Sequence, residues 1–147
     1  MTDEKKHRWT IVFDGGASPN PGIGSCAFKA TNEEGKVIKD SWRMDGIRTN
    51  NEAEWDAVAT AIEKVIANDR EAIVVKVIGD SELVINQLSG LYSVKHFKLK
   101  PFYERVRKIR NRSKTGFIFT HVKRFLNSEM DDACKAARDQ EPRQSTS

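Results

Sequence analysis

The sequence predicts a mixed α/β domain, in which helices flank a five-stranded sheet of three antiparallel strands followed by parallel ones. Three strand-like segments joined by short turns open the chain, and this pattern indicates an antiparallel meander. Apolar residues then recur at helical spacing, and later strand-like segments are separated by helical ones. Helical crossovers require parallel pairing, so the sheet should be mixed, with the element order β-β-β-α-β-α-α-β-α.

The predicted elements are strands at 9–13, 25–31 and 36–44, a helix at 51–67, a strand at 72–78, helices at 81–88 and 99–109, a strand at 115–122 and a helix after residue 127. In the first strand, Trp9, Ile11 and Phe13 share one face, and a segment rich in Gly and Pro then turns the chain. Asn50 or Asn51 can serve as the N-cap of the first long helix.

The later elements carry their own boundary signals. The segment AIVVKVI at 72–78 is apolar enough for a strand that is buried on both faces. Gly90 ends the short helix that follows, and Asn127 caps the last one. The order of these elements places the carboxyl ends of the parallel strands at one edge of the sheet.

The chain of 147 residues suits one folded domain, which we expect to span residues 8–139. We expect a flexible N-terminus at 1–7 and a disordered tail at 140–147, because both segments are polar and lack apolar periodicity. The charged start MTDEKKHRW lacks the apolar region of a signal peptide, and no segment has the length of a membrane span. We therefore expect a cytoplasmic monomer, in which Cys26 and Cys134 are reduced.

Several acidic residues lie where predicted elements meet that edge of the sheet. They are Asp14 after the first strand, Glu52 and Glu54 in the first helical turn, Asp80 after the apolar strand, and Asp131 and Asp132 in the last helix. Each one alone has a structural interpretation, as a turn residue, a cap or a partner of the helix dipole. Convergence at one edge changes this, because clustered carboxylates repel one another unless cations bind. Oxygen-only clusters are typical of sites for hard cations such as Mg²⁺.

Four segments then reveal a family resemblance. FDGGASPNPG, TNNEAEW, IGDSELV and HVKRFLNSEMDDACKAA, in this order, resemble the four motifs of a type 1 ribonuclease H, over about residues 8–139. The resemblance implies the ribonuclease H-like fold for a catalytic domain that hydrolyses the RNA strand of RNA–DNA hybrids, for example RNA primers. It also implies two Mg²⁺ ions as cofactors, which Mn²⁺ can replace.

The resemblance also assigns the acids. Asp14, Glu54, Asp80 and Asp131 match the metal-ligating catalytic residues, and Asp14 is expected to bridge both ions. Glu54 has the family's spacing after Thr-Asn-Asn, so Glu52 is a spectator. For the fourth acid, the family places its Asp four residues after an Asn; Asn127 therefore selects Asp131 over Asp132.

Substrate contacts follow from the same resemblance. The matching positions, expected at the nucleic-acid backbone or minor groove, are Asn20, Thr49, Asn50 and Asn51. Gly15, which has no side chain, is expected to let the backbone approach the substrate closely. Side-chain amides and hydroxyls can bond to 2′-hydroxyl groups, which distinguish RNA from DNA. His121 aligns with a histidine that assists product release in some members, although an ordinary structural histidine is an open alternative. Glu82 departs from the family's usual Gln.

A basic segment provides a further candidate surface. The net charge is +4 with a pI of about 9.1, and residues 95–114 hold many Lys and Arg against a single Glu. The connection between the two central helices is too short for the basic handle of some family members, so the chain resembles the compact ones. Lys95, Lys98 and Lys100 are candidates to supply part of that charge, or they form an ordinary solvated face.

Two other functions stay open at this point. A non-catalytic module of the same fold would bind nucleic acid, but four unpaired acids would then carry an electrostatic cost without a metal. A nuclease of the same fold could act on another duplex, such as DNA or double-stranded RNA. Thr49, Asn50 and Asn51 favour hybrids over these substrates through the resemblance alone.

Overall fold

The computed structural model describes residues 2–143, apart from the side chains of residues 2, 3 and 125. The strands are β1 Arg8–Ser18, β2 Gly22–Asn32, β3 Val37–Arg48, β4 Val74–Gly79, β5 Gly116–His121 and β6 Pro142–Arg143. The helices are α1 Asn50–Asn68, α2 Glu82–Leu88, α3 Lys100–Arg112 and α4 Ser128–Ala137, with short 3₁₀ turns at Thr2–His7 and Arg124–Asn127. The order of elements from β1 to α4 is the predicted one.

The strands form one mixed sheet in the order β5-β4-β1-β2-β3-β6. Strands β1, β2 and β3 pair antiparallel, whereas β1 with β4 and β4 with β5 pair parallel, so the predicted mixed class is confirmed. The carboxyl ends of β1, β4 and β5 come to the same edge, because Phe13 is paired with Gly79 and Gly79 with His121. None of the described helices is long and apolar enough to cross a bilayer.

The sheet has six strands rather than the predicted five, because Pro142–Arg143 pairs in parallel with the end of β3. The Arg143 guanidinium lies 2.7 Å from Asp40 and stacks over the Trp42 ring at 5.2 Å. The first part of the expected disordered tail is therefore bonded to the domain, while residues 144–147 lie outside the described residues. Likewise, Thr2–His7 is a 3₁₀ turn rather than an unstructured end, and His7 Nδ1 lies 2.8 Å from Asp69.

Strand β1 is longer than predicted and changes the interpretation of Asp14. It runs to Ser18 because β2 stays paired with it up to Ser18 and Ile23, and the chain turns only at 19–21. The pairing with β4 ends earlier, at Phe13. Asp14 is thus a strand residue at the first position beyond its parallel neighbour, and the expectation of a turn directly after Phe13 is wrong.

Two other local predictions are corrected. Thr49, not Asn50 or Asn51, is the N-cap of α1, and it forms a capping box with Glu52. Strand β4 is buried on one face only, since Val75 and Val77 are fully buried while Lys76 is exposed. The apolar sequence of β4 therefore predicts more burial than the strand has.

The core lies on both faces of the sheet. On one face, Ile11 and Phe13 of β1 pack with Trp55, Val58 and Ile62 of α1, and α3 completes this layer. On the other face, a smaller cluster joins Ala27 to Met130 and Cys134 of α4. Helices from both layers therefore reach the end of β1.

Gly15 permits the close approach of α1 to β1. A Cβ built on Gly15 would overlap the backbone of Ala53 and Glu54, whereas one on Gly16 would have no heavy atom nearer than 3.7 Å. The distance between strand and helix at this point is therefore set by the absence of a side chain at Gly15.

We predict that Gly15→Ala lowers the free energy of unfolding by about 3 kcal/mol, because backbone atoms must move to admit the methyl group. Gly16→Ala, one residue away, should lower it by less than about 1 kcal/mol. Urea denaturation of both variants tests this difference. Equal effects of the two substitutions would contradict the tight contact between β1 and α1.

Candidate functional site

Three carboxylates converge at the carboxyl edge of the sheet. Asp14 of β1, Glu54 in the first turns of α1 and Asp80 directly after β4 each offer an oxygen, and these oxygens lie within 4.8 Å of one another. Asp14 is 2% exposed and Glu54 5% exposed, while Asp80 is half-buried. The predicted convergence of these three acids is therefore present in the structure.

The start of α1 directs Glu54 into this cluster. The Thr49 cap fixes the first turn of the helix, and the Gly15 backbone N–H donates to Oε1 of Glu54. Glu52 is used differently, because its carboxylate completes the capping box and lies 3.0 Å from Arg48. Glu52 thus acts in capping, and Gly15, expected to approach substrate, directs its amide at Glu54.

The cluster is electrostatically unfavourable as it stands. Burial raises the pKa of Asp14 to about 6, and repulsion by Asp80 and Asp131 adds to that effect. Burial, followed by the charge of Asp14, also raises the pKa of Glu54 well above its usual value. Oδ1 of Asp14 and Oδ2 of Asp80 are buried without a hydrogen-bond partner among the described residues. Buried oxygens without partners are expected where a cation binds.

The donor set fits a hard divalent cation. All three groups offer carboxylate oxygens, which Mg²⁺ and Mn²⁺ prefer. Cys26 and Cys134 lie nearby, but burial raises the pKa of both thiols, so neither is a thiolate ligand at neutral pH.

The fourth predicted acid lies beside this group rather than within it. Asp131 is half-buried, and its Oδ2 lies 3.0 Å from Nζ of Lys135, one helical turn later. Its charge still reaches the cluster, since it contributes to the raised pKa of Asp14. Asp132 points to solvent. Asp131 is not among the three convergent carboxylates, and the choice of Asp131 over Asp132 stays a prediction.

Side chains of the last helical segment bind the end of β1. The Asn127 amide donates to the Phe13 carbonyl at 2.7 Å, and the Cys134 thiol donates to the Asp14 carbonyl at 3.1 Å. Asn127 was expected to cap α4, but its side chain makes no capping bond. Its amide instead donates to the buried Phe13 carbonyl. The pairing of β1 with β4 ends at Phe13, so this carbonyl needs a donor from outside the sheet.

His121 ends β5 beside the cluster. It is exposed, and its Nε2 lies 3.3 Å from the backbone oxygen of Asp80, to which it donates in the Nε2-protonated tautomer. The histidine therefore contacts the segment that carries Asp80 and does not belong to the convergent group.

A groove of about 670 Å³ opens at the start of α1, the helix that carries Glu54. Four predicted substrate residues and two predicted lysines line it, namely Asn20, Thr49, Asn50, Asn51, Lys95 and Lys98. Lys100 and Gly15 are not part of its lining. Sequence reasoning missed Gln87, Ser93 and His96 in the lining. The position of His96 between Lys95 and Lys98 was the available signal for that residue.

Asparagine side chains tie the β1–β2 turn to the start of α1. Oδ1 of Asn50 accepts from the Ala17 N–H at 2.7 Å, and Oδ1 of Asn20 accepts from the Asn50 N–H at 3.1 Å. Both residues are exposed, and their amide nitrogens make no bond to the described residues. The two amides thus point their donor groups toward an outside partner while their oxygens fix the wall of the groove.

Comparisons with known proteins identify a family and several relatives. A family model described as reverse transcriptase-like matches residues 12–137. A ribonuclease HI of Halobacterium salinarum is 32% identical over 130 residues, which cover 86% of this chain and 62% of that protein. A bifunctional protein of Mycobacterium tuberculosis is 31% identical over 141 residues, covering 90% of this chain and 38% of that one. The chain therefore spans less than two thirds of the length of these relatives.

Solved structures are similar over almost their whole length. The ribonuclease H1 called LC11, in complex with an RNA/DNA hybrid, superposes with a TM-score of 0.81 at 30% identity, over 89% of this chain and 96% of that one. The ribonuclease H1 of Halobacterium salinarum gives a TM-score of 0.77 at 30% identity, over 90% and 98% of the two chains.

The raised pKa of Asp14 predicts a pH-dependent penalty in metal-free protein. The pKa of Asp14 in the folded protein is about 6, above the ordinary value of 3.8. Protonation of Asp14 therefore stabilises the folded state fully below pH 3.8, and this stabilisation is lost as the pH rises through about 6. Asp14→Asn carries no charge at any pH. In EDTA at about pH 7.5 it should be more stable than the natural protein by about 2 kcal/mol, and this difference should shrink toward about pH 4.

Urea denaturation at several pH values measures this difference. Asp132→Asn is the matched control, because Asp132 is exposed and its substitution should change stability little at any pH. A stability difference between Asp14→Asn and the natural protein that stays constant with pH would refute the buried-charge penalty.

Proposed function

The chain belongs to the reverse transcriptase-like family and, within it, to the type 1 ribonucleases H, and on this basis we propose that it is an endoribonuclease that hydrolyses the RNA strand of RNA–DNA hybrids. One observation carries the proposal: the start of α1 contributes both to the convergent group of Asp14, Glu54 and Asp80 and to a groove lined by amides, hydroxyls and lysines. Phosphodiester hydrolysis needs the first feature, and duplex recognition needs the second.

We assign metal binding to Asp14, Glu54 and Asp80, with Asp131 as the fourth ligand and Asp14 shared between two ions. Mg²⁺ is the proposed cofactor, and Mn²⁺ can replace it. When bound, such ions supply activation of water and stabilisation of the departing oxygen. The role of the chain is to hold these carboxylates together and largely away from solvent, so that the attraction for a divalent cation is only weakly screened.

The proposed reaction is attack of water on the scissile phosphorus, with cleavage of the bond to the 3′ oxygen. The products are a 3′-hydroxyl and a 5′-phosphate. The carboxylates would hold the ions that meet the scissile phosphate, and the groove fixes the direction of the strand. We assign His121, exposed next to Asp80, to departure of the product.

Recognition of the hybrid is assigned to the groove. Asn20 and Asn50 present free amide nitrogens, and Thr49 and Asn51 line the same wall. These groups can bond to 2′-hydroxyls and to the backbone, while Lys95 and Lys98 can neutralise phosphates. Gly15 is assigned to the positioning of Glu54 instead of to substrate. Because the carboxylates and the groove belong to one chain, we propose that residues 8–139 act as a cytoplasmic monomer, in roles such as primer removal.

We predict that the protein cleaves labelled RNA–DNA hybrid in Mg²⁺ and leaves RNA–RNA and DNA–DNA duplexes intact. Asp14→Asn and Asp80→Asn should each reduce kcat by about a hundredfold or more, because each removes a ligand oxygen. Asp131→Asn should reduce it, whereas Asp132→Asn should retain activity within about twofold. Time courses on the three duplexes measure these effects, with EDTA as the metal-free control.

Hybrid cleavage that survives Asp14→Asn would contradict the assigned metal site. Cleavage of another duplex at a similar rate would favour a nuclease of broader specificity. Equal losses in Asp131→Asn and Asp132→Asn would remove the assignment of the fourth acid.

The groove also predicts the salt dependence of binding. A Lys95→Gln/Lys98→Gln variant should reduce the slope of log Kd against log salt by about two, because two phosphate contacts are lost. Lys100→Gln is the matched control, since Lys100 is exposed on α3 outside the groove. Fluorescence anisotropy with labelled hybrid measures the slopes, and an unchanged slope in the double variant would exclude both lysines from the interface.

A further inference from the structure

Arg138, directly after α4, points toward the end of β1. It keeps helical backbone angles and follows Asp131 by seven residues, so both lie on the same face of the helix. A Cβ built on Gly16 would lie 3.7 Å from Nη2 of Arg138 and 3.8 Å from Oδ1 of Asn50. The guanidinium and the Asn50 amide therefore flank a position that has no side chain.

The charge of Arg138 has no partner within residues 2–143. Its Nε is buried without a hydrogen bond, and no described carboxylate lies within ion-pair distance. Other cations near the site are paired, as Lys135 is with Asp131 and Arg48 with Glu52. A buried donor that carries a charge and lacks an acceptor is unfavourable, which indicates that an anionic ligand supplies the acceptor.

The backbone fixes where this guanidinium lies. The carbonyl of Arg138 accepts from Arg43 Nη1 at 3.5 Å, and Ala137 beside it is fully buried. Nη2 of Arg138 lies beside Gly16, two residues along β1 from Asp14, which is about 7 Å at a rise of about 3.3 Å per residue. A group held there can reach a phosphate next to the one that meets the carboxylates.

We propose that Arg138 binds a backbone phosphate of the hybrid away from the cleaved bond, in the gap that Gly16 leaves open beside Asn50. The planar guanidinium offers two parallel N–H donors to a phosphate. Asn50 faces the same gap with Oδ1, an acceptor already bonded to the Ala17 N–H, so the guanidinium supplies the donors there. This assignment rests on the proposed function and adds a contact on α4, opposite the groove lysines. Its role is to fix the position of the duplex along the site.

Binding without turnover isolates this contact. In an Asp80→Asn background, the Kd for fluorescein-labelled RNA–DNA hybrid is measured by anisotropy in Mg²⁺ at several salt concentrations. Adding Arg138→Gln should weaken binding about tenfold and reduce the salt slope by about one. Arg138→Lys, which keeps the charge but loses the paired donors, should restore the slope and only part of the affinity.

Arg70→Gln is the matched control. Arg70 is exposed in the turn after α1, at the opposite edge of the sheet from the carboxylates, so its loss should change neither affinity nor slope. Thermal unfolding in EDTA accompanies each variant. A purely structural role for Arg138 would lower the melting temperature without changing the salt slope, and this result would overturn the proposal.

Neutral phosphate analogues locate the contact. Methylphosphonates are placed at one position at a time in each strand of the hybrid. At the position that Arg138 binds, the analogue should weaken binding by the parent about tenfold but leave binding by Arg138→Gln unchanged. Additive effects at every position would overturn the proposal.

The same assay separates this proposal from the proposed function. If the parent binds RNA–RNA or DNA–DNA better than hybrid, the hybrid assignment fails, and the Arg138 comparison is repeated on the preferred duplex. If the parent prefers hybrid but Arg138→Gln matches it in affinity and slope, the hybrid assignment stands and the Arg138 contact is refuted.

Discussion

The structure depends on holding two carboxylates together in a buried place. Asp14 and Glu54 approach each other because Gly15 has no side chain, which lets α1 lie directly against β1. Burial raises the pKa values of both acids, and the charge of Asp80 adds to the shift of Asp14 as the charge of Asp14 adds to that of Glu54. The arrangement therefore opposes folding when the acids are charged. Every other feature of the site either fixes this contact or compensates for it.

The end of β1 shows how the fold fixes the contact. Strand β4 stops at Gly79 opposite Phe13, so Asp14 lies beyond its parallel neighbour although it still pairs with β2. Asn127 donates to the Phe13 carbonyl and Cys134 to the Asp14 carbonyl, both from the last helical segment. These two bonds fasten the end of β1 to the layer that contains α4.

The sequence was sufficient for the architecture, and its motifs located the acids. Periodicity and turn residues predict the order of elements, and right-handed crossovers then bring Asp14 and Asp80 to one edge. The use of Asn127 for a buried carbonyl rather than a cap depends on where β4 ends, which no local pattern records. Thr49 is the N-cap because it forms a capping box with Glu52. The sequence TNNE contains this signal, but its two asparagines are also good N-cap residues.

Charge placement was the least predictable part, because it depends on distances between elements. The net charge of +4 says nothing about location, and the basic segment 95–114 divides in the structure. Lys95 and Lys98 reach the groove, whereas Arg105 turns inward to Asp56 and Glu63. Arg138 follows Asp131 by seven residues, so the sequence alone could have placed both on one face of the last helix.

The distribution of these charges follows from the demands of the chemistry. In the proposed reaction a polyanionic duplex approaches carboxylates that repel it, so positive groups are needed at some distance from the centre. If the cations lay against Asp14 and Glu54, they would form ion pairs and lower the affinity of those acids for metal. In this chain Lys95 and Lys98 line the groove and Arg138 follows α4, on the other face of the sheet from α1 and α3, while the oxygens of Asp14 and Asp80 stay unpaired. Because the basic side chains do not pair with the carboxylates, the carboxylates remain able to bind a cation and the basic side chains remain able to bind an anion.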